Sequence, residues 1–239
     1  MNINIADTPD ECAREAADWI TAYAERVLQT RDRFTIALSG GSTPVALHKL
    51  LAGAPYRDRI DWKRVHVFWG DERYVPFDDE KNNARMGFET LLNHVDVPSE
   101  QIHVMDTTLP PDTSMADYGA LLHRYFDGHE HTFDLVILGM GDDGHTLSLF
   151  PGTEVVNEER DWTKAFFLPQ QDMFRLTITA PVVNNAAAVI FQVEGTKKAD
   201  SLKEVLQGDY QPDKYPSQRI KPKTKDFVWF LDKAAASKL

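Results

Sequence analysis

The sequence predicts an α/β protein with a mostly parallel central sheet and helices on both faces. Three observations carry that expectation. Leu135, Val136, Ile137 and Leu138 form an unbroken apolar run, as in a strand covered on both sides. Short apolar runs alternate along the chain with stretches of helical spacing, the pattern of strand–helix–strand units. Polar, glycine-rich turns follow several of those runs, at the strand ends where open α/β sheets place their ligands.

Thr8, Pro9, Asp10 and Glu11 read as a capping box with proline in the first turn, and Ala13, Ala16, Ala17, Ile20, Ala24, Val27 and Leu28 follow at helical spacing. Phe34 to Leu38 is a strand that breaks into Ser39, Gly40, Gly41, Ser42, Thr43 and Pro44, and a helix then runs through Leu51. Val65 to Trp69 is a second strand, ending in Gly70, Asp71, Glu72 and Arg73, with a helix over Glu80 to Leu92. Ile102 to Met105 is a short strand. Ser114 to Phe126 is a helix with Ala116, Leu121, Leu122 and Tyr125 on a shared face. Beyond the run at Leu135, Trp162 to Leu168 and Arg175 to Thr179 are strands, Ala187 to Val193 a buried one, Thr196 to Leu206 a helix and Phe227 to Leu231 a last strand. Asp209 to Lys225 is rich in proline, lysine and polar residues and is expected to be an exposed loop. No repeat or low-complexity tract intervenes, so one Rossmann-like domain is expected over residues 1–239.

A formal charge of −11 disfavours nucleic acid and anionic membrane as partners, so an anionic substrate must find a local basic pocket. Cys12 is the single cysteine, which excludes an intrachain disulfide and points to a reducing compartment. The first residues lack a basic start followed by an apolar core, and no window is apolar over a membrane-spanning length. A cytoplasmic protein is expected, and no feature signals an obligate protein partner.

Two turns concentrate the chemistry. Ser39 to Pro44 sets backbone N–H groups, two hydroxyls and a helix N-terminus at one point, either a phosphate cradle or an ordinary turn with Ser42 or Thr43 as N-cap. It is not a Walker loop, because no GK[ST] follows. Arg73, Arg175 and Lys197 or Lys198 lie at strand ends and are the candidate cations. The second turn, Gly139, Met140, Gly141, Asp142, Asp143, Gly144 and His145, spells GxGxxG, but Pro151 and Gly152 interrupt the long helix that a dinucleotide loop needs, and two adjacent aspartates would repel a pyrophosphate. His145, with Asp143 two residues away and Asp71 expected beside it, reads instead as acid/base equipment with an orienting carboxylate. No HxH or HExxH spacing suggests a metal, and no GxSxG elbow suggests a serine triad.

Taken together, LSGGSTP, GDERYVP, GMGDDGHTLSLFPG, RLTIT, GTKKA and the tail WFLDKAAASKL resemble the 6-phosphogluconolactonase family over nearly the whole chain. Related glucosamine-6-phosphate deaminases share the glycine turn and the DGH loop but typically carry DEY for DER and an asparagine-glutamate-proline ending where this chain has SLFPG. The resemblance implies the sheet of that sugar-phosphate superfamily, no cofactor, and hydrolysis of a small sugar-phosphate lactone. It places the phosphate on Gly40, Gly41, Ser42, Thr43, Arg73, Arg175 and Lys198, the lysine chosen because it precedes Ala199 as in the family's KA pair. His145 is then the acid/base, with Asp143 or Asp71 orienting it. A deaminase or isomerase of amino-sugar phosphates and a non-catalytic sugar-phosphate sensor are the rival readings. The chain departs from the family's usual pattern at Asp142, where proline is common, at Leu147, where alanine is, and over Gln170 to Phe174, which lacks a proline-rich, lysine-containing stretch.

Overall fold

The computed structural model describes all residues from Met1 to Leu239. In chain order the elements are β1 (Asn2–Ala6), α1 (Pro9–Leu28), β2 (Phe34–Leu38), α2 (Thr43–Leu51), α3 (Tyr56–Arg59), β3 (Val65–Trp69), β4 (Asp71–Arg73), α4 (Asn83–Thr90), β5 (Ile102–His103) and α5 (Pro111–Phe126). There follow β6 (Leu135–Leu138), β7 (Thr163–Leu168), β8 (Met173–Ile178), α6 (Ala180–Asn184), β9 (Ala188–Val193), α7 (Ala199–Gln207) and β10 (Asp226–Asp232). Seven strands form a sheet in the order β1-β10-β9-β6-β2-β3-β5, and each pairing in it is parallel. The last strand thus lies between the first and β9. From β2 the chain builds outward through β3 and β5, while β6 pairs on the other side of β2. The order therefore reverses between β2 and β6, and the crevice above such a point is where open sheets bind ligands.

Alternation along each strand divides the core in two. Phe34, Ile36 and Leu38 of β2, Leu135 and Ile137 of β6, and Val228 and Phe230 of β10 pack with α1, α2 and α4 on one face. Val136 and Leu138 of β6, with Phe191 and Trp229, pack with α5, α6 and α7 on the other. The aromatic rings of Phe191 and Trp229 stack at 3.8 Å. Small residues in α1 (Ala13, Ala16, Ala17 and Ala24 are all buried) let that helix approach its neighbours closely. The expected sheet, covered on both sides, is present.

Several boundaries differ from the expectation for local reasons. The first helix starts as expected, with Thr8 accepting from the Glu11 N–H, but the Glu11 carboxylate reaches back to the Asp7 N–H rather than to Thr8. The helix expected from Glu80 begins at Asn83, because Asn82 caps it by accepting from the Arg85 N–H. The expected helix from Thr196 opens as a 3-10 turn over Thr196–Lys198 and becomes α-helical at Ala199. The strand β1 was not anticipated, nor was a separate antiparallel sheet of order β4-β8-β7.

The segment Asp209 to Lys225 is a loop exposed at both ends, as expected, but its middle turns inward. Pro216, Ser217, Gln218 and Ile220 are buried. The Gln218 amide donates to the Glu204 and Asp209 carbonyls and accepts from the Gln211 N–H, and the Ser217 N–H donates to the Gly144 carbonyl. Polar composition here reflects side chains that pair inward with backbone.

Candidate active site

A cleft of about 230 Å³ opens above the carboxyl ends of β2 and β6. Its floor and walls bring together Gly40, Gly41, Ser42, Thr43, Asp71, Arg73, His145, Arg175 and Lys198, so nine of the ten residues singled out from the sequence line it. The tenth, Asp143, touches His145 from behind. A larger cavity, about 650 Å³, lies beside Arg31, Thr35 and Asp134. Its buried carboxylate, Asp134, is already satisfied by Arg31 and by the N–H and hydroxyl of Thr35.

The turn after β2 is shaped by what lies beneath it. A Cβ at Gly40 would fall on the Asn83 carboxamide, and Gly41 has φ +93, a left-handed conformation that glycine adopts without strain. The N–H groups of Gly41, Ser42 and Thr43 make no hydrogen bond to other backbone groups, and α2 begins there. Ser42 stands at the N-cap position of α2, but its side chain makes no capping hydrogen bond. Unpaired N–H donors at a helix N-terminus suit an anion.

The cations reach the cleft from three elements. Arg73 and Arg175 are register partners across β4 and β8, which puts them side by side on one face of the small sheet. Arg175 is almost fully buried and pairs at 2.7 Å with Asp71, whose carboxylate also accepts at 2.7 Å from the Ser148 hydroxyl. Burial pulls the Arg175 guanidinium below its usual range, and the neighbouring Asp71 charge opposes that pull. Gln171, at the divergent turn before β8, accepts from Arg175 at 3.0 Å. Lys198, just ahead of α7, lies within 2.6 Å of Asp142.

At the other side of the cleft, Asp143 Oδ1 accepts from the His145 backbone N–H at 3.0 Å and from its ring Nδ1 at 2.6 Å. A Cβ at Gly141 would collide with the imidazole, so glycine is required there for this arrangement. Burial would raise the Asp143 pKa, but the hydrogen bond and charge of His145 outweigh it and hold the carboxyl below its ordinary value. Phe150 stacks on the imidazole with ring centroids 4.2 Å apart, and the Arg175 guanidinium lies over the same phenyl ring at 5.3 Å. The carboxylate bonded to His145 is Asp143. Asp71, the alternative from sequence, is turned away to Arg175 and Ser148, and the reason is charge: a buried guanidinium needs it more.

Asn83, Ser148 and Phe150 were not singled out from the sequence, and Gln171 only as part of the divergent Gln170 to Phe174 segment. Asn83 donates to the Asp71 carbonyl at 2.9 Å and supports Gly40. It carries no local signal, since an asparagine opening a helix ordinarily serves as a cap. Glu72 was also passed over: its carboxylate accepts from the N–H groups of Arg73, Asn83 and Ala84, tying β4 to the start of α4. Burial pushes its pKa up to about 7 against those hydrogen bonds.

A parallel sheet whose carboxyl edge carries a glycine turn at a helix start, a cluster of cations and a carboxylate-bonded histidine has the layout of an enzyme site. The chain belongs to the family of glucosamine-6-phosphate isomerases/6-phosphogluconolactonase, whose model matches residues 7–229. It is 39% identical over 246 residues to a 6-phosphogluconolactonase of a Nostoc species, covering 100% of this chain and 99% of that one. It is 38% identical over 225 residues to a 6-phosphogluconolactonase of a Synechocystis species, covering 92% and 90%. The crystal structure of 6-phosphogluconolactonase from Thermotoga maritima matches with a TM-score of 0.84 at 29% identity, over 97% of this chain and 99% of that one.

Proposed function

We propose that this chain hydrolyses 6-phospho-D-glucono-1,5-lactone to 6-phosphogluconate, within the oxidative pentose phosphate pathway. The observation that carries the reading is the cleft itself: a histidine backed by a carboxylate and a cluster of cations share one small space. The phosphate binds the Gly40 to Thr43 turn with Arg73, Arg175 and Lys198, and this remote contact positions the lactone carbonyl. With the Nδ1 proton held by Asp143, the free Nε2 of His145 takes a proton from water as the oxygen attacks the carbonyl carbon. A tetrahedral intermediate forms, and backbone N–H groups of the glycine turns are the candidate donors to its oxyanion. Collapse breaks the bond to the ring oxygen, which receives the proton back from the imidazolium, so water is consumed and no cofactor is needed. Asp143 stabilises the imidazolium as the carboxylate of a triad does. Asp71 acts one step back, holding Arg175. A cytoplasmic location fits a chain whose one cysteine is buried and unpaired.

The test is lactone hydrolysis above the spontaneous rate, with no ammonia released from glucosamine 6-phosphate. His145→Ala is expected to lower kcat by on the order of a hundredfold while binding of 6-phosphogluconate is largely kept. Near-normal turnover would remove the histidine from the reaction, ammonia release would favour the deaminase, and binding without turnover the sensor.

A further inference from the structure

Asp142 is the one acidic side chain that pairs directly with a cation of the proposed phosphate site other than through the buried Asp71–Arg175 contact. Its Oδ1 lies 2.6 Å from Lys198 Nζ. The two partners differ in exposure: the Lys198 side chain is 22% exposed and lines the cleft, whereas Asp142 is 57% exposed and stands outside its wall. The ammonium is therefore held between an external carboxylate and the internal cavity. Asp142 is also covalently next to Asp143, so one five-residue turn, Gly141 to His145, holds the lysine through one aspartate and the histidine through the next.

We propose that Asp142 is a positioning residue that acts through Lys198 as an internal counter-ion, competing with the substrate's phosphate and so keeping the phosphorylated product from binding too tightly. This rests on Lys198 being part of the phosphate site. In the empty cleft the carboxylate satisfies the ammonium. When a phosphate enters, the same three N–H donors are shared with it or surrendered to it. The aspartate charge meanwhile stays close enough to repel the dianion, an effect that salt screens because the carboxylate is exposed. Both effects weaken ground-state binding of substrate and product alike. Where release of the phosphorylated product limits turnover, weaker product binding favours kcat at the expense of KM.

The experiment is a double-mutant cycle on the full chain, with Asp142→Asn, Lys198→Ala and the double variant. Dissociation constants for 6-phosphogluconate and for inorganic phosphate are measured by calorimetry at low and high salt, and kcat and KM for the lactone are measured alongside. Asp142→Asn keeps the shape and removes the charge. It is expected to tighten binding of both ligands by roughly threefold at low salt, less at high salt, and to lower KM without raising kcat. Lys198→Ala is expected to weaken both ligands, and the effect of Asp142→Asn should disappear in that background. Unchanged or weaker binding in Asp142→Asn, with Lys198→Ala still weakening, overturns the counter-ion role alone. Equal tightening with or without the lysine overturns it too, since the charge would then act on the ligand directly. If Lys198→Ala leaves both affinities unchanged, the phosphate assignment of Lys198 fails and this inference falls with it.

Discussion

Asp71 and Arg175 are separated by 104 positions in the chain and by 2.7 Å in space, with both side chains nearly sealed from solvent. A buried pair of this kind contributes little net stability over an apolar pair, but removal of one member strands the other in a poorly polarisable setting, at a cost of about 3–5 kcal/mol. Asp71→Asn is accordingly expected to lower the melting temperature markedly and to weaken 6-phosphogluconate binding, because Arg175 loses the group that aims it. Calorimetric melting and titration read the two effects, and a melting temperature equal to the parent's would show that the pair has no such role. From sequence, both residues could be picked as site residues by their place at strand ends. Their partnership could not be, because nothing local to GDER or RLTIT says which distant charge each will meet. Asp143 and His145 were easier: two residues apart, they can bond within one turn. Phe150 shares that turn, but a phenylalanine five residues past a histidine reads as core, and only the folded loop brings its ring under the imidazole.

Among elements, the turn after β2 and the start of α4 form one unit. Asn83 sits under Gly40 while its amide is anchored to the Asp71 carbonyl, and the backbone around it is fixed by Glu72. A methyl group at position 40 forces the Asn83 carboxamide off its bond to the Asp71 carbonyl or shifts the turn, and overpacking of that order costs about 1–3 kcal/mol. Gly40→Ala is expected to lose stability by that amount and to bind 6-phosphogluconate more weakly. Asn83→Ala placed on top of it should recover part of the stability by vacating the space. Denaturant unfolding checks both, and full tolerance of Gly40→Ala would mean the contact is slack. The seven parallel strands were largely legible because the buried ones are dominated by apolar residues, broken only by single polar ones such as Thr35, His66 and Gln192. The antiparallel sheet was legible only in part: β7 and β8 were expected as strands, but β4 has three residues, too few for any period to show, and without it nothing local signals a second sheet. β1 escaped for a related reason, since it is an edge strand whose Asn2 to Ile5 are all exposed.

For the molecule as a whole, stability should depend on pH through buried and half-buried groups that do not themselves line the cleft. His48 is fully buried against Thr90, and burial depresses its pKa to about 4; His103, half-buried, is depressed to about 4 as well. As pH falls from the ordinary histidine value of about 6.5 to about 4, the unfolded chain takes up protons that the folded chain refuses, so stability falls by up to about 1.4 kcal/mol per pH unit for each. Glu72 acts in the opposite sense: its folded pKa is raised to about 7, so the folded chain binds a proton first and gains stability as pH drops from there toward the usual glutamate range. His48→Gln is expected to flatten the acid side of the stability curve between pH 6.5 and 4 relative to the parent, measured by urea unfolding at intervals across that window. Parallel curves would show that His48 is protonated in the fold.

The position of β10 has one more consequence, for a chain that leaves the ribosome N-terminus first. Its seven residues fill a slot between β1 and β9, and both neighbours precede it in the chain, β1 by nearly the whole length. Until Asp226 to Asp232 arrives, β9 presents an open row of amides and carbonyls and β1 has no strand to lie against. A product cut short before Asp226 lacks an interior stave and not a rim, and it exposes the sticky edge that proteases and chaperones survey. Closure of the sheet thereby waits on one segment: β1 and β9 are joined only when Asp226 to Asp232 lies between them.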